Sequence, residues 1–130
     1  MNRYKQREQA LLLTFESMFT DDRAENICEL YEENFDELGD YSKSLFEGIL
    51  DNSEMLDGKI EEFASGWRLA RIPRINIAIL RVAIYEIMFV EDVPASVAVN
   101  EAVELAKKYS GTEDASFING ILGSVVRSAE

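Results

Sequence analysis

Residues 94–123, PASVAVNEAVELAKKYSGTEDASFINGILG, read as two amphipathic helices joined by a short polar turn. Val97, Val103, Ala106 and Tyr109 recur at helical spacing. Pro94 stands in a first-turn position, where its fixed φ suits a helix and its missing N–H removes nothing. Thr112 and Asp114 offer side-chain oxygens to cap the second helix, whose apolar stripe is Phe117, Ile121, Leu122 and Val125. A helical hairpin with one core face follows.

Working upstream, Pro73 or Arg74 to Phe89 is apolar around much of its circumference, which marks a central, buried helix. Four more helices precede it. The first runs from about Tyr4 to Phe19, with Leu11, Leu12, Phe15 and Phe19 as its stripe. The second runs from Ala24 to Leu38 through Ile27, Leu30, Tyr31 and Phe35, with Gly39 as its C-terminal stop. The third, Tyr41 to Leu50, buries Leu45, Phe46 and Ile49. The fourth follows an Asn52 or Ser53 cap and is lined by Met55, Leu56, Ile60 and Phe63. Strand-period alternation is nowhere sustained, so the fold class is all-α with about seven helices.

The 130 residues suit one domain, long enough to bury roughly two thirds of the unfolded surface. Hydrophobic residues make up 47%, which is globular composition. A lone cysteine, Cys28, forbids an internal disulfide and fits a reducing cytoplasm, and no apolar leader follows Met1. The most apolar segment, Ile75 to Val90, is interrupted by Arg81 and Glu86 and is short for a membrane span.

A net charge of −12 disfavours a nucleic-acid partner until its distribution is considered. Most acids lie between Glu16 and Glu62, where Arg23, Lys43 and Lys59 are the only bases. Arg3, Lys5 and Arg7 face only Glu8 within the first ten residues, and Arg68, Arg71, Arg74 and Arg81 fall in an acid-free run. Read alone, such islands are solvated helix faces.

Catalysis finds little support. The chain has no histidine, so the usual neutral-pH acid–base residue and any Glu-x-x-His metal pair are absent. Glu32, Glu33, Asp36 and Glu37 read as a wet helix face. Cys28, beside Glu25 and Glu29, reads as a packing residue because nearby carboxylates raise a thiol pKa. The spacing of Gly120 and Gly123 suits close helix packing better than a phosphate loop. No metal site, cofactor or enzymatic activity is expected.

The wording of these segments carries further information. NEAVELAKKY followed by FINGILG resembles the C-terminal pattern of the NusB family of transcription antitermination factors. RINIAILRVAIYEI followed by Val93-Pro94 is similar to the same family in the same order, and Arg7, Glu8, Ala10 and Phe15 agree with its first helix. The resemblance implies two small helical bundles packed across one another. It also implies binding of boxA, a short single-stranded RNA element of ribosomal RNA leaders, together with the ribosomal protein NusE. NusA, NusG and RNA polymerase complete the implied assembly, and some members form homodimers that cover the RNA face.

Under that resemblance Arg3, Lys5 and Arg7 become the RNA-backbone contacts, Phe117 a base-stacking platform and Asn119 a nearby amide. Packing is the competing role for Phe117, and capping or an interhelical contact for Asn119, Asn100 and Glu101. With only three cations at the N-terminus, binding is expected to be weak without NusE. A related helical domain is fused to RNA cytosine methyltransferases, but the chain ends at Glu130 without room for a cofactor-binding domain. A protein-binding helical adaptor without RNA specificity is the alternative function.

Overall fold

The computed structural model describes residues 1–129, in which seven α-helices and one short 3-10 turn occur and no strand is found. The helices are α1 (Arg3–Ser17), α2 (Ala24–Asn34), α3 (Asp40–Asp51), α4 (Ser53–Phe63), α5 (Arg74–Phe89), α6 (Ala95–Tyr109) and α7 (Thr112–Ser128). The 3-10 turn is Leu69–Arg71. The all-α class follows directly. Among the described residues, no helix is long and apolar enough to cross a membrane.

Helix α5 organises the rest because it has no wet face wide enough to live on a surface. Ile77, Ala78, Ile79, Leu80, Val82 and Ile84 are all buried, and α5 packs against α1, α3, α4, α6 and α7. On one side of it α1, α2 and α3 pack together; on the other α4, α6 and α7 do. The main core runs through α5 and both groups, while Leu13, Ile27, Cys28, Leu38 and Phe46 form a smaller cluster among α1–α3. Cys28 is a packing residue, and burial pushes its thiol pKa up.

Several local expectations need correction. Helix α2 ends at Asn34, where Phe35 leaves helical geometry, and Gly39 is the N-cap of α3. The Gln6 side chain of α1 occupies the space where a Cβ on Gly39 would sit. Leu30 and Phe35 are exposed, Phe35 at 76%: Leu30 lies on the outer face of α2, and Phe35 stands just beyond its last residue. Pro94 is the N-cap of α6 rather than its first residue. Neither Thr112 nor Asp114 caps α7; Gly111, at φ 110, makes the turn, and its N–H and that of Ser110 bond back to Ala106 O. Gly120 is open to solvent and Gly123 meets only Arg127 of its own helix, so neither serves interhelical packing. Asn52 takes the N-cap position of α4, but its amide donates back to Gly48 O at 2.8 Å.

Candidate nucleic-acid interface

Helix α1 starts where the Asn2 side chain accepts the Lys5 N–H at 2.8 Å. This places Arg3, Lys5 and Arg7 in the first turns, but not with one role. Arg3 and Lys5 are exposed. The Arg3 guanidinium lies 3.9 Å from the centre of the Tyr41 ring and 3.3 Å from Asp92. Lys5 Nζ is 3.7 Å from Asp36.

Arg7 does not join them. It is only 3% exposed and its Nε donates to Glu86 Oε1 at 2.7 Å, across the interface between α1 and α5. Glu86 is fully buried and its second oxygen accepts the Tyr41 hydroxyl. A carboxylate buried in the last turn of an apolar helix must have such partners. Burial lowers the Arg7 pKa, but the hydrogen bond to Glu86 and its charge outweigh that and the net shift is upward. Tyr41 is held protonated far above its ordinary value, by burial first and then by Glu86. The expectation of an exposed RNA-facing Arg7 is therefore corrected: it is a structural ion pair.

Further along the same helix, Glu8 Oε2 accepts from Lys108 Nζ at 2.6 Å and from the Tyr109 hydroxyl at 2.8 Å, tying α1 to the end of α6. Burial alone would raise the Glu8 pKa, but these two bonds carry it below the ordinary carboxylate range. Tyr109 is pushed up to about 12, by burial first and then by Glu8.

Phe117 sits at the other end of α1's span. It is half-buried, packed against the main core, and its ring meets Trp67 edge-on with centroids 6.0 Å apart. Both rings line a cleft of about 250 Å³ with Arg71, Ile72, Pro73, Asn76, Glu113 and Asp114. Phe117 thus contacts the core on one side and stands at the rim of the cleft on the other. Asn119 is exposed and lies two residues on, roughly 200° around α7. It faces away from the Phe117 cleft.

Trp67 was not picked out from sequence as a binding residue, although it opens the acid-free run that holds Arg68, Arg71 and Arg74. Gly66, at φ 88, turns the chain out of α4 and leaves Trp67 54% exposed. Arg68, Arg71 and Arg74 are exposed, and among the described residues none has a carboxylate oxygen within 4.0 Å. Arg81, the fourth base of that run, is bound by both oxygens of Asp57 at 2.8 Å.

The NusB family pattern matches residues 4–127. The transcription antitermination protein NusB of Acetivibrio thermocellus is 46% identical over 131 residues, spanning 98% of this chain and 90% of that one. The T. maritima NusB structure superposes with a TM-score of 0.84 at 28% identity, covering 98% of this chain and 92% of the other. A crystal structure of the antitermination factors NusB and NusE in complex with double-stranded RNA shares the fold, with a TM-score of 0.83, 24% identity and 98% and 99% coverage. A family pattern along nearly the whole chain, with relatives close to half identical over their length, establishes that this chain belongs to the NusB family.

Proposed function

We propose that the chain acts as a single NusB-like domain in transcription antitermination, binding boxA-type single-stranded RNA together with NusE during ribosomal RNA transcription. NusA, NusG and RNA polymerase are its partners in the larger complex. The observation that carries this reading is family membership over residues 4–127, with relatives named for antitermination. The NusB and NusE complex with RNA supports the choice of partners. That RNA is a duplex. The preference for a single strand in this chain is argued from the half-buried Phe117 ring and its exposed neighbour Trp67, which suit unstacked bases that a duplex keeps paired.

Arg3 and Lys5 are the proposed backbone contacts of α1, each having to leave an exposed carboxylate to reach a phosphate. Arg7 serves indirectly, by fixing α1 against α5. Fluorescence anisotropy with boxA RNA, a scrambled strand and a duplex, each with and without NusE, tests the reading. Weak binding alone and much tighter, boxA-selective binding with NusE is expected. Equal affinity for all three RNAs in both conditions would leave the helical-adaptor function in its place.

A further inference from the structure

Large apolar side chains left in water singly are ordinary, but three of them share one place beside α2. Leu30, Tyr31 and Phe35 line an open groove of about 480 Å³, together with Asn34 and, from α1, Glu16. Phe35 is more exposed than any other large hydrophobic residue among those described, and Leu30 is 46% exposed. This exposure is held in place. The Phe35 N–H donates to Tyr31 O at 2.8 Å, and the two rings meet with centroids 5.2 Å apart. Three residues on, Leu38 is buried and its N–H is fixed by the Glu32 carboxylate. The chain is pinned on both sides of Phe35, so the ring stands outside the core without any fraying of α2.

Charge selects what can cover the groove. From Glu16 to Asp40 there are ten carboxylates and one base, Arg23. Among the described residues only two of the ten, Glu32 and Asp36, have a basic nitrogen within 4.0 Å. Glu25, Glu29 and Glu33 follow one another at i, i+4 along the exposed face of α2. Such a like-charge ladder destabilises a helix, and a cation laid against it removes the repulsion. Glu33 is also the i+3 neighbour of Leu30, so the ladder runs beside the groove. A nucleic-acid backbone, an anionic membrane and the same acidic face of a second copy are all repelled from this surface. A basic protein segment is attracted to it, and the apolar groove gives that segment an anchor.

We propose that the groove beside α2 is a docking surface for a basic, amphipathic segment of a protein partner. A large apolar side chain of the segment sits between Leu30 and Phe35, and its lysines or arginines meet Glu16, Glu29 and Glu33. The contact is separate from those with RNA and NusE, and it holds whether or not the antitermination reading does.

Fluorescein-labelled synthetic peptides test it on the full chain by anisotropy. One is a lysine-rich peptide with leucines at i, i+3 and i+4; the second has the same composition scrambled; the third replaces each lysine by glutamate. Saturable binding of the patterned basic peptide is expected, about tenfold weaker binding of the scrambled one, and none of the acidic one. Leu30→Ser with Phe35→Ser leaves every charge in place and lowers affinity about tenfold, as loss of one buried apolar side chain does. Glu29→Gln with Glu33→Gln lowers it as well and flattens its salt dependence. All four side chains are exposed, so urea midpoints shift little. Amide chemical shifts are expected to move at Leu30, Tyr31 and Phe35, and the affinities for RNA and NusE to stay unchanged in both double variants. Equal binding of patterned and scrambled peptides, binding that survives the double serine variant, shifts confined to another face, or no peptide binding at all would each overturn the proposal. So would loss of NusE binding in the double serine variant, or a self-association of the chain that this variant abolishes.

Discussion

Truncating Arg7 leaves a carboxylate with nowhere to go, because Glu86 is fully buried and depends on Arg7 and Tyr41 for its hydrogen bonds. Arg7→Ala is expected to lower stability by about 3–5 kcal/mol in urea unfolding, the range for breaking a buried pair. Arg3→Ala or Lys5→Ala is expected to change it by less than about 0.5 kcal/mol, since both are exposed. Matching midpoints for all three variants would contradict the division of roles within this short basic run. The same groups predict an alkaline transition. Tyr109 is raised to about 12, and Tyr41 lies higher still, so each favours the folded state while its phenol stays protonated. That contribution is whole below the unfolded phenol value of about 10 and is lost as pH rises through it toward 12. Urea midpoints from pH 8 upward, with ultraviolet detection of phenolate, check this; full phenolate titration near pH 10 in the folded chain would refute it. Glu8 works in the opposite direction. Its lowered pKa gives stability that is present above the ordinary carboxylate range and lost as acid titrates it.

At the scale of helices, periodicity carried far. The bounds of α5 and the hairpin of α6 and α7 were legible, because long apolar stripes at a 3.6 period leave few alternatives. The end of α2 was not. Its apolar spacing continues through Phe35 to Leu38, and Leu38 is buried, but the backbone between them is not helical. The Glu32 carboxylate accepts the Leu38 N–H at 3.1 Å, a contact that no stripe announces. Arg7 was misread for a similar reason: residue type suggests a surface, while the clue lay 79 residues away in a lone Glu86 on an apolar helix. Phe117 was legible as a stripe member but its rim position depends on Trp67, which only the turn at Gly66 brings beside it. Phe117→Leu therefore separates its two roles. Leucine keeps part of the apolar contact of this half-buried side chain, so the swap is expected to cost the fold about 1 kcal/mol. Losing the ring face is expected to weaken RNA binding by about 1–3 kcal/mol. Isothermal titration and urea unfolding on this variant give both numbers, and unchanged RNA affinity would assign Phe117 to the core alone.

For the whole molecule, charge and shape divide the surface. Acids crowd the segment from Glu16 to Glu62, while Arg68, Arg71 and Arg74, with no carboxylate oxygen within 4.0 Å among the described residues, gather at the N-terminal end of α5. A strongly acidic chain that binds RNA gains most from a basic partner, and the proposed partner NusE is a ribosomal protein, a class commonly rich in such charge. The central claim is that this chain, with NusE, converts a boxA sequence into resistance to termination. In vitro transcription through a terminator tests it most directly, with RNA polymerase, NusA, NusG and NusE, on templates with and without boxA, and with the chain added or withheld. The account predicts that read-through rises only when boxA, NusE and this chain are all present. Read-through that is the same without boxA, or without the chain, would contradict it.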